Sequence, residues 1–317
     1  MIDRNKYIVT TTNDQLWDIP NLVEFLNTHQ GDDIVLNVNP EAHSLHACGL
    51  YDIVDKFKFR SVTIATWNLL EHHPTYTIRQ KPPRLWFFDP KQWAHWGVTA
   101  EQQQWNKSKI FGTFYGRPTA DRLGIASHLF THYREASELV LAFDPTGIDD
   151  RALFELTKLY DYHREGIVAF TNLEPHLPMS KEGVDYENCI YRRTNPGMFD
   201  LYQNILVDIV SEPNILGDTF FLTEKVVRCL LLKKPFILMG GRENCTYFRR
   251  MGFKTFNEFW PEDYDSFEGK NRYLQILSLI DDLAKRTDLE QLYEKMQPTL
   301  EHNYKMLTEQ TFTKDVV

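Results

Sequence analysis

The chain of 317 residues contains no apolar run as long as a membrane-spanning helix requires. Such a helix needs about 20 apolar residues. The longest candidate here, residues 226–239, is interrupted by charged side chains and by Pro235. The first six residues are largely polar or charged, and no apolar core of a signal peptide follows them. We therefore expect a cytosolic protein without a membrane span.

Cysteine is scarce, and the few cysteines lie far apart without a Cys-x-x-Cys pair. A zinc site needs such pairs or neighbouring histidines at short spacing. We expect four reduced and mostly buried thiols and no metal site; these cysteines are Cys48, Cys189, Cys229 and Cys245.

Several catalytic signatures are also missing. The chain has no Walker motif, no Gly-x-Gly-x-x-Gly and no Gly-x-Ser-x-Gly, which disfavours an NTPase, a dehydrogenase and a hydrolase of the common kinds. Asp263 and Asp265 have the spacing of an Asp-x-Asp metal motif, but they lie near the end of the chain. We expect them to order a loop or to contact a ligand, and we expect no bound cofactor.

Positively charged residues are fewer than negatively charged ones: the chain has 35 Lys and Arg and 44 Asp and Glu, which gives a net charge of −9. Proteins that hold duplex DNA by its phosphates usually present a basic face. The charge therefore disfavours nucleic acid as a partner. A hydrophobic content of 42% and a charged content of 25% are those of an ordinary globular protein.

What the sequence does contain is an alternation of strand and helix patterns, which is typical of an α/β fold. A first Rossmann-like unit is predicted from strands at 7–12, 33–38 and 61–66, with a helix capped by Asn13 and another over 50–57. Residues 74–105 are rich in Pro and Trp, and we expect irregular loops that form one wall of a cleft. The pattern predicts an N-terminal domain, 1–105.

A second alternation predicts a C-terminal domain, 106–317. Pro118 suits the first turn of a helix that ends near His132. The last two helices are predicted at about 266–286 and 287–309. The remaining predicted strands are 110–115, 139–143, 166–170, 205–210 and 235–239. The remaining predicted helices are 151–163, 224–232 and one that follows a turn at 240–241 and ends near 251.

The most informative stretch is 208–241, where a strand pattern leads to Thr223 and a helix pattern. Thr223 is a good N-cap, and the N–H groups and positive dipole end of a helix attract anions. Lys225 adds a positive charge for a phosphate, and Glu224 a carboxylate that can bind the two hydroxyls of a ribose. A well-capped surface helix would explain the same residues. Gly240 follows a strand, where it allows either a ligand to approach the backbone or a tight turn.

This stretch resembles the donor-binding segment of the α1,3-fucosyltransferase family. The resemblance lies in the order of Glu212, Gly217, Thr223-Glu224-Lys225 and the strand that ends at Gly240. The resemblance implies the GT-B fold, in which two Rossmann-like domains face a cleft. It also implies that Glu224 holds the ribose and Lys225 the diphosphate of a nucleotide-sugar donor. Pro213 stands where the family has Asn.

Residues 115–122 resemble the strand, turn and helix that open the C-terminal domain of that family. The resemblance implies that Arg122, or else Arg117, contacts the donor phosphates; an Arg fork donates two parallel hydrogen bonds to phosphate. Arg193, next to Arg192, faces either phosphate or solvent. Most of the chain also resembles predicted glycosyltransferases of large marine phages, on motifs at 49–52, 252–256 and 263–265. If the chain is a phage protein, its place is the cytoplasm of a bacterial host.

An inverting transferase needs a base that deprotonates the acceptor hydroxyl. Glu71 is our first candidate and His72 the second, because both follow a strand of the N-terminal domain. We thus expect a metal-independent glycosyltransferase that moves a sugar from a GDP- or UDP-sugar to a glycan or glycoconjugate. Two alternatives stay open: glycosylation of modified bases in phage DNA, and a non-catalytic module that binds a nucleotide, a sugar or a partner.

Overall fold

A computed structural model describes residues 5–12, 15–38, 43–68, 70–80, 104–143, 146, 150–179, 200–212, 217–220 and 223–309. Within these residues the chain forms two separate β-sheets, each with its own apolar core. No described helix has both the length and the apolar character needed to cross a membrane.

The first sheet contains five strands in the order β2-β1-β3-β4-β5. Strand β2 is antiparallel to β1, and all other neighbours are parallel. Inward side chains alternate with partly exposed ones along β3, as in a strand with one buried face. The strands are β1 (Lys6–Thr12), β2 (Gln15–Trp17), β3 (Asp33–Val38), β4 (Ser61–Thr66) and β5 (Thr77–Gln80), and the helices are α1 (Ile19–Thr28) and α2 (Leu50–Val54).

The second sheet contains four parallel strands in the order β7-β6-β8-β9. All of their residues are buried, because helices cover both faces of a parallel sheet. The strands are β6 (Phe111–Tyr115), β7 (Ser137–Leu141), β8 (Val207–Ser211) and β9 (Phe236–Met239).

Seven described helices accompany the second sheet. The last two, both amphipathic, end the described chain and pack their apolar residues into the larger core. The helices are α3 (Ala120–Tyr133), α4 (Asp150–Tyr162), α5 (Arg164–Leu173), α6 (Glu224–Leu231), α7 (Asn244–Arg250), α8 (Gly269–Ala284) and α9 (Leu289–Glu309).

The predicted fold class is confirmed: an α/β chain with two Rossmann-like sheets, as in GT-B proteins, and helices at its C-terminal end. The two sheets use residues 6–80 and 111–239, on either side of the expected boundary at 105/106. The boundary itself stays a prediction, and residues 81–103 of the Pro- and Trp-rich stretch lie outside the described part.

Three local predictions were wrong. The segment at 166–170 belongs to helix α5, because its buried residues recur at a helical spacing and Val168 faces solvent at 65% exposure. The first helix begins at Ile19 after Asp18, and Leu16 lies in a strand instead; Asn13, the expected cap, lies outside the described residues. Thr77–Gln80, expected as a loop, pairs with β4 as a fifth strand.

Candidate active site at the ends of the two sheets

The N-terminus of α6 is held by a buried carboxylate at the end of β8. Thr223 caps the helix, since its Oγ1 accepts from the N–H of Lys225 at 3.3 Å, which confirms the predicted cap. Glu212 accepts from the Thr223 N–H at 2.9 Å and from the Thr223 hydroxyl at 2.6 Å. The two oxygens of Glu212 thereby fix where α6 begins.

The ammonium group of Lys225 lies at the same point. Its Nζ is 3.0 Å from Thr223 Oγ1 and 4.0 Å from the nearer oxygen of Glu212, and the Lys225 side chain keeps 15% exposure. A positive charge therefore stands beside the positive end of the helix dipole, where an anion is favoured. The side chain of Glu224 is outside the described part, so its expected contact with a ribose stays a prediction.

Gly240 lies directly after β9, at the same edge of the sheet. Because β8 and β9 are parallel, Glu212 and Gly240 are neighbours, and the Glu212 N–H donates to the Met239 carbonyl at 2.8 Å. A Cβ on Gly240 would collide with the side-chain amide of Asn244. Close packing of the turn against α7 is thus sufficient to explain this glycine, and a backbone contact with a nucleotide stays a prediction.

Arg122 is a buried brace between α3 and β8. Its Nε donates to Ser211 Oγ at 3.0 Å and its NH2 to the Ser211 carbonyl at 2.8 Å, while Ser211 Oγ donates to Asp121 at 2.8 Å. Arg122 is 5% exposed and already holds the end of β8, and its expected contact with the donor phosphates stays a prediction. Arg117, the alternative, is exposed and lies between β6 and α3.

A cleft of about 590 Å³ opens beside this edge, between the two sheets. Its C-terminal wall carries Asp218 and Arg242, which form an ion pair, and Glu268, which accepts from the Gly217 N–H at 2.8 Å. None of Glu212, Thr223 and Lys225 lines this cavity. The cleft lining comprises Ser44, His46, Ala47, Leu70, Glu71, His72, Gly217, Asp218, Arg242 and Glu268.

Glu71, the first candidate base, lines the N-terminal wall but is 5% exposed and accepts three hydrogen bonds. Its Oε1 accepts from the Tyr51 hydroxyl at 2.9 Å, and its Oε2 from the Leu45 N–H at 3.0 Å and the Asn68 amide at 3.1 Å. Burial raises the pKa of Glu71 above its ordinary value, and these three donors oppose the rise. The carboxylate holds the wall together, and a role as the base stays a prediction.

Two imidazoles lie on the same wall with more access to the cleft. His72 is exposed, with Nδ1 3.3 Å from the Leu70 carbonyl, and its ring centre is 6.4 Å from that of His46. The His46 ring packs on Tyr51 at 4.4 Å, and Tyr51 stacks on His73 at 4.3 Å. Burial lowers the pKa of His73, which favours its neutral form. Among the described residues, His46 and His72 are thus the imidazoles that line the cleft.

Sequence reasoning missed His46, Asn68, Asp218, Arg242 and Glu268. Each lies in a different segment, and no local spacing connects them. Only Asn68 carried a local signal, since it is a polar residue two positions after the end of β4, where α/β folds bind ligands.

Asp265 orders the chain before α8, one of the two roles expected for the Asp-x-Asp spacing. It is buried and accepts from the backbone N–H groups of Cys245 and Thr246 at 2.9 and 3.0 Å and from the Arg272 guanidinium at 3.2 Å. Within the described residues, no group of three or more His, Cys, Asp or Glu side chains is arranged to hold a metal ion.

Three of the four cysteines fall in the described part, and all three are free thiols. Cys229 and Cys245 are buried, and Cys48 is partly exposed. Cys189, Arg192 and Arg193 lie outside the described residues, so the expected contact of Arg193 with phosphate stays a prediction.

The chain was compared with known proteins in three ways. It matches no protein-family model and no curated protein. Among solved structures it is similar to a glycosyltransferase from Rickettsia africae, at 12% identity and a TM-score of 0.33, over 93% of this chain and 77% of the other. A likeness of this degree carries no argument for the function, which has to be argued from the site.

Proposed function

We propose that this protein is a glycosyltransferase that moves a sugar from a nucleoside-diphosphate sugar to an acceptor hydroxyl. One observation carries the proposal. The carboxyl ends of parallel strands from both sheets border one cleft, and the capped start of α6, with Lys225, stands at the edge of the second sheet. Open α/β sheets bind their ligands at this edge.

In the proposed reaction the donor diphosphate lies at the start of α6. The acceptor oxygen attacks the anomeric carbon and forms the new glycosidic bond, while the bond from that carbon to the phosphate oxygen breaks and its electron pair leaves with the diphosphate. Lys225 and the helix N-terminus stabilise the negative charge that develops on the leaving group. The geometry around Glu212 supports this role, because it fixes Thr223 and so holds these donors in place before the substrate arrives.

The acceptor occupies the cleft in this proposal. Its hydroxyl proton passes to a base on the N-terminal wall, and His46 joins Glu71 and His72 as a candidate, since all three line the cavity. Imidazoles serve as general bases more often than any other side chain. Glu268 and Asp218 on the opposite wall supply acceptors for further hydroxyl groups of a sugar.

Thermal unfolding with GDP, UDP, dTDP, CMP and their sugar conjugates tests the donor site. A ligand at 100 times its Kd adds roughly 2.7 kcal/mol to the free energy of unfolding, which raises Tm measurably. We expect one nucleotide to raise Tm in the wild type. We expect the rise to be lost in Lys225→Ala and kept in Lys285→Ala, a remote lysine on an exposed helix end with 72% side-chain exposure.

The outcomes separate clearly. A selective rise that only Lys225→Ala abolishes supports the proposed site and identifies the nucleotide. If no nucleotide and no nucleotide sugar raises Tm of the folded wild type, the proposal is wrong. A rise that both variants keep places the nucleotide elsewhere and overturns the assignment of Lys225.

A further inference from the structure

The segment 217–220 makes direct contacts with the N-terminal half of the chain. Gly217 has a left-handed backbone, with φ at +69°, and packs against the N-terminal domain so closely that an added Cβ would lie 2.5 Å from Ser44 and 3.0 Å from Ala47. Only glycine meets both demands without strain. The backbone of the C-terminal half thus lies directly on the loop that lines the cleft.

Asn68 joins this segment to the end of β4, and its side-chain amide makes four hydrogen bonds, two of them to the segment. Its Nδ2 donates to the Asp218 carbonyl at 2.7 Å and to Glu71 Oε2 at 3.1 Å. Its Oδ1 accepts from the N–H groups of Leu70 at 3.1 Å and Phe220 at 3.3 Å. An amide offers two donor hydrogens and two acceptor lone pairs, so its capacity is used in full.

The partners also fix the identity of the side chain. The oxygen of Asn68 faces two N–H donors, and its nitrogen faces a carbonyl and a carboxylate. An aspartate here would set a second negative charge against Glu71, and a leucine would leave buried polar groups unpaired. Asn68 itself is completely buried. It follows β4 closely, while Phe220 precedes Thr223 by three residues.

We propose that Asn68 is a positioning residue that sets the alignment of the acceptor cleft with the donor site. On one side it orients Glu71 in the cleft wall, and on the other it fixes the segment that leads to the cap of α6. Its catalytic meaning rests on the proposed function, whereas its role as the connection between the domains does not. Asn68 acts through these neighbours and need not touch either substrate.

Amide hydrogen exchange tests the connection without any assumption about activity. In Asn68→Ala we expect the N–H groups of Leu70 and Phe220 to exchange about tenfold faster, the effect of losing one buried hydrogen bond. Amides of β6 should keep their protection, which shows that the second sheet stays folded. Asn21→Ala, an exposed asparagine on α1, is the matched control and should change neither amide.

A second variant approaches the same contact from the other side. Gly217→Ala should speed exchange at Phe220, because the added methyl group pushes the segment off Ser44, but should leave Leu70 protected, because the Asn68–Leu70 bond is internal to the N-terminal domain. Unchanged exchange at Phe220 in Asn68→Ala would overturn the proposal. So would equal changes at Leu70 and Phe220 in Gly217→Ala.

Kinetics then test the alignment. Asn68→Ala should lower kcat about tenfold or more and leave nucleotide binding near the wild-type level, since Glu212 still holds Thr223 at the start of α6 in this variant. A variant that weakened both alike would contradict a positioning role. A wild type that binds no nucleotide would defeat the proposed function alone, because the exchange rates still decide whether Asn68 connects the domains.

Discussion

Glu71, in the cleft wall, has features of both a structural group and a catalytic one. A carboxylate with three donors is usually a fixed structural group, yet a raised pKa in a cleft is also typical of catalytic acids and bases. Burial dominates the shift in Glu71, as the three hydrogen bonds would lower its pKa by themselves. The two roles make different predictions for the glutamine variant.

Glu71→Gln should change the pH dependence of stability. The folded chain holds the Glu71 proton to a higher pH than the unfolded chain, whose ordinary pKa is 4.5. As the pH rises from 4.5 through the folded-state pKa, the folded state therefore binds more protons and the free energy of unfolding falls. Glutamine does not titrate, so the Tm of Glu71→Gln relative to wild type should increase across this window. A constant difference between pH 4 and 7 would contradict the raised pKa.

The activity of the same variant decides the role of Glu71. Glutamine retains an oxygen for the Leu45 and Asn68 N–H groups, and its amide can donate to the Tyr51 hydroxyl. If Glu71 only positions the wall, kcat should stay within a few-fold of wild type. If Glu71 is the base, kcat should fall by about 10²–10⁴. His72→Gln is the paired measurement, and the larger loss identifies the base.

At the scale of elements, the position of the start of α6 depends on a residue that lies outside the helix. Its cap is an ordinary threonine, but that threonine is bound through both its N–H and its hydroxyl to Glu212 at the end of β8. The contact ties the start of the helix to the sheet edge. The orientation of Lys225 is therefore a property of the strand and the helix together.

Removal of the Thr223 hydroxyl should destabilise the C-terminal domain. Thr223→Val keeps the shape of the side chain but loses the cap and leaves a buried carboxylate short of one donor, at a cost of roughly 1–3 kcal/mol. Thr223→Ser keeps the hydroxyl and loses only a buried methyl group, so it should cost about 0.8 kcal/mol. The midpoints of urea-induced unfolding measure both. Equal midpoints for the two variants would show that the hydroxyl contributes nothing.

At the scale of the whole molecule, charge separates the two catalytic readings. The chain has a net charge of −9. The described cleft lining contains three carboxylates, those of Glu71, Asp218 and Glu268, and one guanidinium, that of Arg242. A phosphate backbone would be repelled from such a cavity. A neutral or amine-bearing sugar fits this cavity better than a nucleotide in duplex DNA does.

We therefore expect no binding of a duplex of about 20 base pairs at 200 mM salt, and only weak binding at 50 mM. Fluorescence anisotropy of a labelled duplex measures this, with a parallel thermal shift by nucleotide as proof that the preparation is competent. Tight binding that weakens by about 10³-fold between the two salt concentrations would favour the alternative, glycosylation of DNA bases.

Local sequence information predicted the elements better than it predicted the site. Strands β3 and β4 were predicted to the residue, because a short run rich in β-branched side chains is a local signal. Helix α5 was taken for a strand because its short apolar run has little helical signal until Leu173 is included. Arg122 was expected at a phosphate, and its burial against Ser211 depends on a strand 89 residues away.

By itself the sequence determined the α/β class and the cap of α6, because strand patterns and the hydrogen bond that the Lys225 N–H donates to Thr223 Oγ1 involve residues close together in the chain. Only the tertiary structure decided that Asn68 meets Asp218, 150 residues later, and that His46 and Arg242 line one cleft. The physical reason is that such contacts follow from how two sheets pack. Packing depends on buried surfaces far apart in the chain, which no local pattern records.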